Sequence, residues 1–131
     1  MNYINKIFLI LAVVLFGYGF YSYYKIPVKE KSGAVSFLGQ KEVAINIKNF
    51  SFNPPEIIID RGTKVTWTNN EEGVGHSVKS DPHPEHNLFP QMNSENLETG
   101  ATFSVVFEKE GEYPYHCDPH SAGMKGKIIV K

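Results

Sequence analysis

A chain of 131 residues has room for one small domain and not two. Its formal net charge of −1 conceals a division: residues 1–41 carry five lysines against one glutamate, whereas residues 42–131 carry eight basic and thirteen acidic side chains. So acidic a domain is excluded from the ordinary nucleic-acid binders, which gain affinity by neutralising phosphates, and a single cysteine excludes an internal disulfide.

The first predicted element is apolar. In "MNYINKIFLILAVVLFGYGFYSYYK", Lys6 precedes an apolar run to Phe16 and a Gly/Tyr/Phe-rich tail. Residues 7–24 are uncharged over 18 positions, the short end of the roughly 20 that a membrane-spanning helix needs. Tyr18, Tyr21, Tyr23 and Tyr24 suit the headgroup level. A signal peptide is the alternative, but the small-residue cleavage site expected after its apolar core is missing. Residues 1–24 are therefore expected to form a hydrophobic helix that anchors the chain in a membrane. The rest would lie outside the cytoplasm, in the periplasm or at the cell surface. Residues 25–41, "KIPVKEKSGAVSFLGQK", read as a linker.

From residue 42 the texture is that of short strands. "EVAINIKNF" alternates Val43, Ile45 and Ile47 with polar neighbours, the period of two of a half-buried strand. "SFNPPEIIIDRGT" has a Pro-Pro break, three isoleucines and an Asp-Arg-Gly turn, and "KVTWTNN" turns Val65 and Trp67 inward. "HSVKS" is short; "ATFSVVFEKEGEYPYHC" reads as two strands about a Lys-Glu-Gly turn, with Phe103, Val105 and Phe107 on one face; "KGKIIVK" closes the chain. About seven strands at such spacing predict an all-β antiparallel sandwich over 42–131. Between them, 81–100 is long, unpatterned and rich in Pro, Asn and His, as functional loops are.

The chemistry concentrates in "HCDPHSAGM". Cys117, His120 and Met124 offer a thiolate, an imidazole and a thioether within eight residues, and Pro119 and Gly123 permit the reversal that would let them converge. His76, at the start of "HSVKS", is the natural second imidazole, on a strand expected beside that of Cys117. Two nitrogens and a thiolate with a weak axial sulfur describe a blue-copper site, and the thioether favours copper over zinc. His116 alternates with Cys117 and should point to the other face, structural or exposed. His83 and His86 read first as loop residues capping backbone groups. The sharper reading is a second metal site with Asp81, Glu85 or Met92. Trp67 reads as core.

The order His76 … Tyr-x-Tyr-His-Cys117-Asp-Pro-His120-x-x-x-Met124, with strands before and after, resembles the cupredoxins, most nearly the small plastocyanin/amicyanin-like members. The resemblance covers about 42–131. It implies a Greek-key sandwich of eight strands with one copper ion near one end, held by His76, Cys117, His120 and Met124. It further implies a non-enzymatic carrier that shuttles single electrons between redox partner proteins as copper cycles between Cu(I) and Cu(II). The histidine equivalent to His120 would be the electron's exit, through a patch that Pro119, Ala122 and Gly123 could form. Ser77 stands where many relatives carry Asn, and its hydroxyl could reach the thiolate or the opposite loop. The acidic balance suits a partner with a basic docking face, and the domain reads as a monomer. Multicopper oxidases and copper nitrite reductases need more chain, and the former a histidine on each side of the cysteine, where this chain has Asp118. A thiol hydrolase would leave Met124 and the second imidazole without a role. The rival reading is a protein for copper acquisition or delivery, with the metal as cargo.

Overall fold

The strands lie where alternation of apolar residues makes one face of the backbone worth hiding. In β2 (Glu42–Lys48) Val43, Ile45 and Ile47 are buried while the residues between them face solvent. In β5 (Thr63–Asn69) Thr63, Val65, Trp67 and Asn69 turn inward. The computed structural model describes residues 33–131. The expected anchor at 1–24 lies outside the described residues, among which no helix is long and apolar enough to cross a membrane.

Nine strands form two sheets among the described residues. The remaining strands are β1 (Val35–Ser36), β3 (Ser51–Asn53), β4 (Glu56–Ile59), β6 (Lys79–Ser80), β7 (Thr102–Phe107), β8 (Gly111–His116) and β9 (Lys125–Val130). One sheet runs β1-β4-β9-β8-β6 and the other β3-β2-β5-β7. The pairing is mixed. β2 with β5, β4 with β9 and β1 with β4 are parallel, and the other pairs are antiparallel. Parallel neighbours require crossovers between the sheets, which local alternation does not reveal. Two residues of the segment read as a linker, Val35 and Ser36, pair with Ile57 and Ile58.

Between the sheets lie Phe52, Trp67, Phe107 and Tyr115 with Ile45, Ile47, Ile57, Ile59 and Ile128, all essentially inaccessible. The Trp67 and Tyr115 rings meet edge to face at 5.5 Å, and the indole Nε1–H donates to the Tyr115 hydroxyl at 3.1 Å. That bond satisfies a buried donor. Burial pushes the Tyr115 phenol far above its usual range, so the hydroxyl stays protonated. β9 runs beside this ring through Gly126, where an added Cβ would lie 2.3 Å from Tyr115 Cζ. Only a residue without a side chain lets the two strands pair there. This anchoring matters because β8 ends one residue before Cys117.

Candidate metal centre

β8 delivers Cys117 to the mouth of a short loop. Asp118–His120 form a single 3-10 turn, with Pro119 supplying the fixed φ that such a start tolerates. The His120 N–H donates to the Cys117 carbonyl at 3.0 Å, and the Met124 N–H to the His120 carbonyl at 2.9 Å. The Cys117 N–H then closes the loop on the Met124 carbonyl at 3.0 Å. Residues 117–124 are thus a ring of backbone hydrogen bonds that holds both ends side by side. Met124 is buried, with its backbone directly beside Cys117.

His76 arrives differently from expectation. It does not begin a strand beside Cys117; it sits in an isolated bridge with Leu97, each N–H donating to the other's carbonyl, at 3.1 and 2.6 Å. The long 81–100 loop returns to supply this partner, so the available ladder bonds go to Leu97. Asn69 Nδ2 ties the bend by donating to the carbonyls of Val74 and Leu97.

The result brings three donors together. Cys117 Sγ lies 3.6 Å from His76 Nδ1 and 3.5 Å from His120 Nδ1. All three ligand atoms are within 4.8 Å of one another, with His76 and Cys117 fully buried and His120 partly exposed. Such separations are the span of two metal–ligand bonds of roughly 2.0–2.3 Å meeting at a wide angle.

Three residues surround the donors, of which Glu71 and Phe50 escaped the sequence reading. Glu71 Oε2 stands 2.8 Å from His76 Nε2, so the ring donates there and turns its Nδ1 lone pair toward the sulfur. The Phe50 N–H donates to the same carboxylate at 2.9 Å and, with His76 beside it, holds Glu71 below the ordinary carboxylate range. Phe50 itself occupies the second place of the two-residue turn between β2 and β3. Asn49 and Phe50 both have positive φ, 54° and 53°. Asparagine suits that conformation; a bulky aromatic is rare in it. The strained backbone sets the Phe50 ring edge-on to both His76 and His120, at 5.6 and 4.9 Å. No periodicity flags either residue, because each acts across a turn. Ser77 is the third: its N–H points at Cys117 Sγ (3.4 Å) and its hydroxyl accepts the Asp118 N–H at 3.0 Å. Of the two roles read for that hydroxyl, the structure shows the tie to the opposite loop.

His116 does face away from Cys117, and it is buried rather than exposed. It meets His83, His86 and Asp118 in a separate cluster. Met92 lies in the hydrophobic core instead, and Glu85 is not in the cluster.

Comparison with known proteins agrees with this geometry. The model of a family described as copper binding proteins, plastocyanin/azurin family, matches residues 39–131. Amicyanin-alpha of Methylorubrum extorquens is 39% identical over 66% of this chain and 70% of its own length. Halocyanin of Natronomonas pharaonis is 37% identical over 71% of this chain, but the match spans only 58% of halocyanin. Among solved structures, the purple cupredoxin from Nitrosopumilus maritimus superposes with a TM-score of 0.58 at 33% identity, over 68% of this chain and 99% of that one. The extent of the family match and the identity to amicyanin-alpha are enough to place this chain in the plastocyanin/azurin family of copper-binding proteins.

Proposed function

We propose that the chain carries single electrons between redox partners outside the cytoplasm through one type 1 copper held by His76, Cys117 and His120, with Met124 as the axial ligand. The observation that carries this reading is the meeting of the Cys117 sulfur with two imidazole Nδ1 atoms from separate loops. A soft thiolate with two imidazoles is the donor set that suits copper in a trigonal site. When bound, the copper would gain and lose one electron between Cu(II) and Cu(I).

The chain's own residues do the rest. The ring of hydrogen bonds through residues 117–124 and the Leu97 bridge hold the donor-bearing backbone by bonds of its own, which favours ligands that stay in place when the charge changes. Glu71 orients His76 by accepting its Nε2–H, as carboxylates do behind metal-bound imidazoles. The Ser77 N–H stabilises negative charge on the sulfur and so bears on the reduction potential. His120 opens onto a surface depression lined by Phe50, Pro119, Ala122 and Gly123, a small apolar rim that suits partner docking and electron exit. An acidic domain fits a partner with a basic face, and residues 7–24 would hold it at a membrane.

Adding Cu(II) to the full-length chain is expected to produce an intense visible thiolate-to-copper band that vanishes in Cys117→Ser. Absence of the band in the unsubstituted chain would defeat the reading. Met124→Leu should retain the colour and shift the reduction potential; loss of colour would instead remove Met124 from the axial role. The second reading, copper as cargo, draws on the open histidine cluster beside the centre. It predicts transfer of the metal to an apo acceptor, whereas a carrier keeps its copper in both oxidation states.

A further inference from the structure

All five histidines of the chain lie in one of two clusters, and the copper reading uses only His76 and His120. The other three converge with Asp118 on the opposite side of the Cys117 strand end. His86 Nε2 is 3.2 Å from His116 Nε2 and 3.3 Å from Asp118 Oδ1. His83 Nδ1 is 3.2 Å from the same carboxylate oxygen. The four donor atoms all fall within 4.8 Å of one another.

The hydrogen bonds within this group rest on few protons. The Nδ1 of His116 faces Asp81 Oδ1 at 2.5 Å, so in the neutral ring the proton belongs on Nδ1 and Nε2 presents a lone pair inward. His86 Nε2 therefore faces two acceptors, the His116 nitrogen and the Asp118 carboxylate, with at most one proton to offer. The side chain of His116 is 2% exposed, so its inward lone pair depends on the His86 ring, or on an ion in its place, for a partner. A cation satisfies every one of these acceptors at once.

We propose that His83, His86, His116 and Asp118 form a second metal site, separate from the first, for a divalent cation of the zinc and copper class. Three imidazoles and one carboxylate suit such ions, with Cu(II) above Zn(II) in intrinsic affinity. Asp81 behind His116 repeats the carboxylate–imidazole arrangement that orients metal-bound rings. The loop bearing the other two imidazoles is ordered by its own bonds. The His86 N–H donates to the Pro82 carbonyl at 2.8 Å, the Leu88 N–H to Asp81 at 3.1 Å, and Asn93 Nδ2 to the His86 carbonyl at 2.8 Å. The half-exposed His83 leaves an entry path and room for a water or an exchanging ligand. The bland alternative is a histidine network held by the two aspartates with no metal.

The test loads the full-length chain with one copper, dialyses it against Zn(II) and measures both metals. One zinc retained per chain, with copper content and visible band unchanged, is the expected result. His83→Ala/His86→Ala should weaken zinc binding at least ten-fold while keeping copper and colour, which also reports that the variant folds. Asp118→Asn, which preserves side-chain volume and the Ser77 tie to its backbone, should weaken zinc selectively as well. A wild-type chain that retains no zinc overturns the site. So does zinc that binds equally well to both variants, or a crystal whose zinc anomalous peak lies elsewhere. None of these readouts requires the first centre to transfer electrons.

Discussion

Two clusters meet at three consecutive residues and share almost nothing else. His116 and Asp118 point into one and Cys117 into the other, because neighbouring residues at a strand end face opposite ways. The Cys117 cluster is closed: His76 and Cys117 are inaccessible, and Phe50 packs against both imidazole rings. The His116 cluster is open, with one ring half exposed and only oxygen and nitrogen donors. Burial of a thiolate among rigid backbone ties suits an ion that must stay while its charge changes. An open imidazole and carboxylate set suits an ion that arrives and leaves. One strand end, by alternation alone, presents two different donor sets.

The contrast is most simply broken at the sulfur. Cys117→Ser should abolish the visible copper band entirely, and metal analysis should show zinc still bound at the His116 cluster. Loss of both would mean that the two are one site. A lesion in the shared scaffold should act on both clusters alike. Trp67→Ala, which deletes a fully buried indole and its bond to Tyr115, is expected to cost about 3–5 kcal/mol in chemical denaturation. Both metal affinities should fall together. If either stayed intact, that cluster would be held by its loops rather than by the sandwich.

Glu71→Ala removes the support behind His76 and the acceptor of the Phe50 N–H, and touches the first cluster only. Copper affinity, measured by competition with a chelator, should drop about 10–100-fold, with zinc binding unchanged. The smallest effect expected on the fold comes from Phe50→Gly, which would open the closed centre. Glycine takes the positive φ of that turn without strain, so stability should hold or rise by up to about 1 kcal/mol. Chelators should nonetheless extract copper faster. An extraction rate equal to that of the unsubstituted chain would show that the ring is no lid.

Much of the fold was legible because alternation is a local property. Val43, Ile45 and Ile47, or Val65 and Trp67, announce a buried face within seven residues, and all five are buried. The proposed first centre was legible for a related reason: Cys117, His120 and Met124 are close in sequence, and few chemistries use that trio. His116 was read to the correct face by the same alternation, but nothing local said that a loop thirty residues upstream would cover it. Glu71 and Phe50 carried no signal at all, since an acidic residue in a turn and an aromatic at a strand end are ordinary until the fold sets them against His76.

By itself the order of amino acids determined most strands, their inward faces and the candidate donors for a soft metal, because each follows from neighbours within one turn or strand. Only the tertiary structure decided which donors meet. The Leu97 bridge that seats His76, the Phe50 ring over two imidazoles and the union of residues 83, 86, 116 and 118 all join segments distant in the chain. Long-range hydrogen bonding and packing select such pairings from many that the same local preferences would allow.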